Sequence, residues 1–361
     1  MKASVKIFEL FGISIRVHIL FFLLPLFVFY SLLIQFNDYV YGLRGVLLIL
    51  LVFCCVTFHE LCHSLQARHF GVKVDQIILL PIGGVAAMQS IPDEPGEEFK
   101  ISIAGPLFNI TLALVLFLPL YFILGRENLF DPGLESWPQT FAYAFWINPI
   151  LAIFNLLPAF PMDGGRVLRS FLARKMDYAK ATRIAVGFGH TFAVLFGFLG
   201  LLSTPPNIIL VIIAFFIFIA ASQEGMQVEL RFTLGKFLVK DVLPEQFISV
   251  TSLTPLSEVL AFTLHSHQED FPVVDKGKLV GLLTRADVFS AMHRFGIQAL
   301  VQDVMRRDFP TVGLNEPLIK AQRLMEQWQI KAIVVLNQQK VAGVVSLEDL
   351  SRIYLLMSNK R

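Results

Sequence analysis

Apolar runs long enough to cross a lipid bilayer dominate the first part of this 361-residue chain. A membrane-spanning helix needs about 20 mostly apolar residues. The composition agrees, because 55% of residues are hydrophobic, only 16% are charged and the mean hydropathy is +0.65, values unlike those of soluble domains. We predict a polytopic α-helical membrane protein with about six spans, followed by a soluble α/β module. The candidate spans are residues 17–36, 45–66, 101–124, 140–157, 182–202 and 207–222.

The distribution of Lys and Arg predicts the orientation of the chain. The first run is too long for a secretory signal and lacks a small-residue cleavage site, so we expect an uncleaved span. Six spans bring both chain ends to one side, and the basic connections identify that side as cytosolic, since the opposite connections hold only Arg44 and Arg126. We therefore expect a multi-pass protein of the cell membrane whose two termini and C-terminal module are cytosolic.

The second apolar run ends in His59-Glu60-Leu61-Cys62-His63. On a helix, His59 and His63 lie one turn apart on the same face, within reach of one cation. Glu60 lies beside them, where it can take a proton from a water molecule at the metal. Such side chains are costly at membrane depth and rarely idle there. The motif favours a zinc site and hydrolysis inside a membrane; the alternative is a polar patch that faces a neighbouring helix.

A catalytic zinc ion takes three protein ligands and leaves a fourth position open. The best third donor is Asp163, which follows the fourth run and returns to the same side of the membrane as His59. Two prolines make this stretch non-helical, and Gly164-Gly165 predicts a sharp backbone turn. The alternative for Asp163 is a turn residue without a ligand.

Asn155 lies eight residues before Asp163 in the same stretch. Its amide is a candidate donor to the oxyanion of a tetrahedral intermediate. A packing or capping role is the alternative, and the sequence does not separate the two.

Residues 71–92 form no span, because loose alternation is broken by Pro81-Ile-Gly-Gly and then resumes. This pattern predicts a hairpin at the membrane surface. Such a hairpin is either a surface feature or an edge that pairs with an extended substrate strand.

The chain beyond about residue 235 repeats itself at an offset of 62 residues, which indicates a tandem duplication. Each copy predicts a helix, two strands joined by a turn, and a second helix. The predicted domains are 1–225 in the membrane, a linker at 226–237, and the two copies at 238–291 and 303–357. Recurring pairs include Asp241-Val242 with Asp303-Val304, Gly281 with Gly343, and Thr284-Arg-Ala-Asp287 with Ser346-Leu-Glu-Asp349.

Three motifs in order within residues 1–222 resemble the site-2 protease (M50) family of intramembrane zinc metalloproteases. They are His59-Glu60-Leu61-Cys62-His63, Ala104-Gly105-Pro106-Leu107-Phe108-Asn109, and Asn155 with Pro158, Pro161, Met162, Asp163 and Gly164. The resemblance implies one Zn²⁺ per chain, held by His59, His63 and Asp163. It also implies that Glu60 activates water, that Asn155 binds substrate or the oxyanion, and that the substrate is a transmembrane protein cut in or near its membrane segment.

The duplicated module resembles a pair of cystathionine-β-synthase (CBS) domains, which often bind adenine nucleotides and associate with further copies. The resemblance implies that ATP or AMP acts as a regulator and that the chain forms a homo-oligomer. The alternative is a pair that binds no nucleotide and only dimerises. The expected nucleotide-binding residues are Thr284, Asp287, Ser346 and Asp349.

Two other classes of function remain open from the sequence. A metal transporter with a CBS regulatory module would use the same His and Asp donors, although no second polar cluster marks a path across the membrane. A catalytically idle adaptor would bind only partners. We expect contact with the lipid bilayer and no nucleic-acid partner.

Overall fold

A computed structural model of the protein describes residues 3–81, 83–88, 94–244, 246–265 and 268–358. The chain divides into two compact units, residues 1–225 and 226–361. Long helices dominate the first unit, and the second is a smaller α/β unit.

Most of the predicted spans coincide with long helices. The helices are α1 (Leu23–Phe36), α2 (Tyr39–His69), α3 (Pro95–Phe130), α4 (Trp137–Asn155), α5 (Asp163–Ala173), α6 (Tyr178–Leu202) and α7 (Ile208–Leu234). Among the described residues, five are long and apolar enough to cross a membrane: α1 with the turn before it, α2, α3, α6 and α7. Their large outward side chains, such as Ile34 (81% exposed) and Phe122 (79% exposed), suit contact with lipid.

The fourth predicted run forms helix α4 but is not among those five. Pro149 lies inside this helix, and Asn148 is buried with its amide Nδ2 donating to the Ala144 carbonyl at 3.0 Å. Polar and helix-breaking residues therefore lower the hydropathy of α4. The predicted class, a polytopic helical membrane protein with a C-terminal α/β module, is confirmed.

Polar caps set where the two helices that carry the central motifs begin. Asp38 precedes α2 and accepts the Val40 N–H at 2.8 Å. Glu94 precedes α3 and accepts the Glu97 N–H at 2.7 Å, with Pro95 at the first helical position. Each cap satisfies a backbone donor that has no partner within its helix.

The segment before α1 and the connection between α2 and α3 together form a four-stranded sheet. Its strands lie in the order β1 (Ser4–Leu10), β2 (Ile13–His18), β3 (Val74–Leu80) and β4 (Gly83–Met88). The predicted hairpin is confirmed as the antiparallel pair β3 and β4, while residues 89–93 lie outside the described part of the chain. β1 and β2 were not predicted. The sequence signal for β2 was present, because Ile13, Ile15 and Val17 alternate with polar residues and are buried.

The second unit contains both copies of the predicted repeat. The first copy holds α8 (Leu256–His265), β5 (Asp270–Asp275), β6 (Lys278–Thr284) and α9 (Arg285–Phe295). The second holds β7 (Thr311–Gly313), α10 (Leu318–Trp328), β8 (Ala332–Asn337), β9 (Lys340–Ser346) and α11 (Leu347–Ser358). Residues 226–237, predicted as a linker, are helical as far as Leu234, because Leu230 and Leu234 pack into the apolar core of this unit.

Candidate metal centre

Helices α2 and α5 bring the three predicted metal ligands together. His59 Nε2 and His63 Nε2 lie 3.1 Å apart, and Asp163 Oδ2 lies 3.2 Å from the first and 3.1 Å from the second. Both imidazoles are buried and the carboxylate is half-buried. Asp163 is the first residue of α5, and its partners are one turn apart on α2.

This donor triangle fits zinc. Two imidazole nitrogens and one carboxylate oxygen form a set typical of catalytic zinc sites. Tetrahedral bonds of about 2.0–2.1 Å place neighbouring donor atoms about 3.3–3.4 Å apart, close to the separations found here. The other nitrogen of His63, Nδ1, lies 2.7 Å from the Ile101 carbonyl of α3. That contact makes Nδ1 the protonated nitrogen, so the Nε2 lone pair is available to a metal.

Gly105 on α3 allows this helix to approach both imidazoles. A Cβ atom added at Gly105 would lie 2.6 Å from His59 Nε2 and would collide with His63 Nε2 as well. Any larger side chain would therefore enter the space between the ligands. This explains physically why glycine occupies this position of the Ala104-Gly105-Pro106 motif.

Glu60 lies next to strand β4. A Cβ atom added at Gly84 would lie 2.7 Å from Glu60 Cγ, so bare backbone passes beside the Glu60 side chain. β4 is the last strand of its sheet and, among the described residues, pairs only with β3. The residue expected to activate water therefore packs against the edge strand of this sheet.

The connection from residue 156 to residue 162 is irregular, as its prolines predicted. The prediction that Gly164 and Gly165 form a sharp turn is wrong, because both lie in the first turn of α5. They serve close approach instead: a Cβ atom at Gly165 would lie 2.6 Å from the Phe160 backbone nitrogen. The connection therefore packs directly on the helix that carries Asp163.

Asn155 is the last residue of α4 and is half-buried. Its side chain makes no hydrogen bond with the residues that the structure describes, so its amide is not committed to a partner among them.

Asn109 was predicted only as the last member of the motif that begins at Ala104. It lies one turn after Gly105 on α3 and is fully buried, and neither its Nδ2 nor its Oδ1 has a hydrogen-bond partner within the described chain. An unpaired buried amide costs about 1–3 kcal/mol. An added Cβ atom at Gly105, one turn earlier on α3, would reach both imidazoles, so this unpaired amide is a candidate functional group.

An ion network that joins α5 to two other helices was also not predicted. Arg169 on α5 donates to Glu98 on α3 and to Glu224 on α7, at 2.9 Å in each case. The rings of Phe160 and Tyr178 lie 4.7 and 4.8 Å from its guanidinium carbon. The helix that carries Asp163 is thereby tied to two neighbours.

In the second unit, the four expected nucleotide-binding residues form two helix caps. The Thr284 hydroxyl lies 2.6 Å from Asp287 Oδ2, and the Ser346 hydroxyl lies 2.7 Å from Asp349 Oδ2. Burial raises the pKa of Asp287, but hydrogen bonds from Arg306 and Thr284 outweigh it and hold this pKa below its ordinary value. The two caps therefore share their geometry but not their surroundings.

Comparison with known proteins identifies the family. The model of peptidase family M50 matches residues 47–132 and 132–196, and that of the CBS domain matches residues 239–294 and 301–356. The chain is 34% identical over 360 residues to zinc metalloprotease MJ0392 of Methanocaldococcus jannaschii, covering 100% of this chain and 98% of that protein. The chain therefore belongs to peptidase family M50, the site-2 protease family of zinc metalloproteases, and carries a C-terminal pair of CBS domains.

Further similarities concern parts of the chain. Stage IV sporulation protein FB of Bacillus subtilis is 27% identical over 213 residues, or 58% of this chain and 69% of that protein. A solved site-2 protease from Methanocaldococcus jannaschii is 40% identical and covers 62% of this chain and 95% of its own, with a TM-score of 0.47. The solved CBS domain pair of protein MJ0100, in complex with 5′-methylthioadenosine and S-adenosyl-L-methionine, is 28% identical, covers 35% and 98%, and has a TM-score of 0.31.

Proposed function

We propose that this protein hydrolyses peptide bonds within or beside the transmembrane segments of membrane proteins, as a step of regulated intramembrane proteolysis. The observation that carries the proposal is the donor triangle of His59, His63 and Asp163, with Glu60 next to it, among helices able to cross a membrane. Water is scarce at that depth. A hydrolytic site there must therefore hold and activate a water molecule itself.

His59, His63 and Asp163 hold the zinc ion in this proposal. When bound there, zinc would lower the pKa of a water molecule and polarise the peptide carbonyl. Glu60 accepts the proton that the attacking water loses, and then delivers it to the leaving amine nitrogen. The Asn155 amide, which makes no hydrogen bond within the described part of the chain, donates to the oxygen that gains negative charge.

A substrate helix must unwind before its peptide bonds can be reached, because helical carbonyls and N–H groups are engaged with one another. The outer edge of β4, the strand against which Glu60 packs, offers replacement partners, since an extended segment can add to a sheet edge through main-chain hydrogen bonds. Gly84 supports this arrangement, because its bare backbone lets the strand approach Glu60 closely.

We infer the orientation from the distribution of Lys and Arg. The basic connections, and with them both termini and the CBS pair, lie in the cytosol in this proposal. The metal site then lies near the cytosolic end of α2. Homo-oligomerisation through the CBS pair is part of the same proposal.

The CBS pair makes cleavage responsive to adenine nucleotides such as ATP or AMP. A nucleotide changes the cleavage rate only if it binds the active and inactive states with different affinity. The change in cleavage rate that a nucleotide causes therefore reports how much its affinity differs between the active and inactive states.

The decisive experiment compares Glu60→Gln with Glu127→Gln, a matched change at an exposed site on α3. Both purified variants should hold one zinc per chain, but only Glu60→Gln should fail to cleave a single-span protein that carries Gly and Pro in its span. Cleavage by Glu60→Gln would remove Glu60 from its role. Zinc without hydrolysis in the unmodified protein would indicate a carrier, and the absence of both would indicate an adaptor.

A further inference from the structure

Contacts between the two CBS copies come in pairs that the 62-residue offset relates. Leu238 bridges to Pro317, and Leu300, 62 residues after Leu238, bridges to Pro255, 62 residues before Pro317. Asp270 accepts the backbone N–H of Ala332, its own counterpart, at 3.0 Å. The two copies are therefore related by an approximate two-fold axis, so each position in one copy has an identifiable partner in the other.

Equivalent residues pack against the two strands, β6 and β9, that lead into the caps. A Cβ atom at Gly281 would lie 3.0 Å from Met305 Cγ, and one at Gly343 would lie 2.7 Å from Leu243 Cδ1. Met305 and Leu243 are counterparts, so the residues that follow them, Arg306 and Pro244, are counterparts as well.

This last pair breaks the symmetry. The backbone N–H of Arg306 donates to the Leu282 carbonyl at 2.8 Å and its carbonyl accepts from Leu282 at 3.0 Å, which places its side chain beside Asp287. Pro244 has no N–H and no polar side chain. One cap therefore has an arginine next to it, and the equivalent position of the repeat holds a proline, which has no side-chain donor.

The two carboxylates consequently differ in free capacity. Asp287 Oδ2 accepts from Thr284 and from Arg306 Nε at 2.7 Å, and its Oδ1 accepts from Arg306 Nη2 at 3.0 Å. Asp349 Oδ2 accepts from the Ser346 backbone at 2.9 Å and from its hydroxyl at 2.7 Å. Asp349 Oδ1 makes no hydrogen bond with the described residues. A two-point arginine–carboxylate pair is among the strongest hydrogen-bonded contacts in proteins, and a ligand would have to break it.

We propose that the CBS pair presents one open site for a ribonucleoside, at Asp349, and that Arg306 closes the equivalent site at Asp287. The open carboxylate oxygen accepts hydroxyl donors of the ribose diol. The inference rests on the proposed nucleotide response and adds its stoichiometry: one nucleotide binds per chain, and the Arg306 side chain sets that number.

Calorimetric titration of AMP into the full-length protein in detergent micelles tests the proposal. We expect one AMP per chain, at least tenfold weaker binding for Asp349→Asn, and similar weakening for 2′-deoxy-AMP, which lacks the diol. Arg306→Ala should raise the number of sites from one to two, and adding Asp287→Asn to it should return the number to one. Asn at position 349 keeps an amide oxygen for the helix cap, so its fold is preserved.

The outcomes separate this inference from the proposed function. Two AMP per chain in the unmodified protein, or one AMP that Asp349→Asn leaves in place, would overturn the inference but leave nucleotide binding intact. An Arg306→Ala variant that still binds one AMP would also overturn it. An absence of heat with both AMP and ATP in every variant would overturn nucleotide binding itself.

Discussion

Arg169 on α5 and Glu98 on α3 form an ion pair in which Arg169 is 2% exposed and Glu98 is fully buried. The pair stands six residues after Asp163 on one helix and three residues before Ile101 on the other. Ile101 orients His63 through its carbonyl. A single contact therefore aligns the helix that supplies the carboxylate with the helix that orients an imidazole.

Removing one member of this pair should cost far more than removing both. Arg169→Met leaves the Glu98 charge buried without compensation, which typically costs about 3–5 kcal/mol. The double variant Arg169→Met with Glu98→Met should recover most of that loss, because apolar groups replace the two buried charges and Glu224, the second partner of Arg169, is 23% exposed. Thermal unfolding in detergent measures both. A double variant less stable than the single one would contradict this account.

Adding one methyl group at Gly105 should weaken zinc binding. In Gly105→Ala the new Cβ atom competes for the space between the two imidazoles, and we expect affinity to fall roughly 10- to 100-fold, the range for disturbed metal surroundings. Gly187→Ala on α6 is the matched control, since a Cβ atom there meets nothing within 4 Å. Competition with a chelator measures the zinc affinity of both variants. Equal affinities would contradict the proposed role of Gly105.

Replacing Asn109 by Leu should stabilise the protein and impair cleavage. The amide is buried without partners, so an apolar side chain of similar size should raise the free energy of unfolding by about 1–3 kcal/mol. We expect cleavage to fall because the amide lies one turn from Gly105, which packs against both imidazoles. Unfolding and peptidase assays on the same preparation check the two effects. Lower stability would show that the amide has a structural partner.

The helicity of the substrate should control its cleavage. Replacing a Gly near the scissile bond of a substrate span by Ala raises the cost of unwinding by about 1 kcal/mol, which corresponds to about a fivefold slower cleavage. The rates of matched Gly and Ala substrates test this. Equal rates would mean that unwinding does not precede the rate-limiting step.

Acid should remove the contribution of the Asp287–Arg306 pair. The pKa of Asp287 is lower in the folded protein than the ordinary value of about 3.9, so its stabilisation is complete above that value and is lost as the pH falls through the folded pKa. Asp287→Asn should therefore be less stable than the unmodified protein at pH 7, and the difference should shrink in acid. Melting temperatures of the two proteins between pH 7 and pH 3 measure it.

The features that could be predicted from the sequence are those encoded locally. Run length revealed the long helices, and the four-residue spacing of His59 and His63 revealed a common face. Asp163 was found from zinc's need for a third donor, a chemical argument rather than a pattern. Arg169 and Glu98 were missed because 71 residues separate them and either residue alone resembles a charge in a basic or acidic connection. The exchange of Arg306 for Pro244 is visible in the repeat, but its meaning depends on the contact with Asp287.

The position of β4 at the sheet edge has a consequence for how substrates would be told apart. A segment that pairs with this strand turns successive side chains to opposite faces. Only every second side chain would then contact the protein on a given face. Preferred cleavage sequences should then show a repeat of two residues, not the three-to-four-residue rhythm of the helix from which they were drawn.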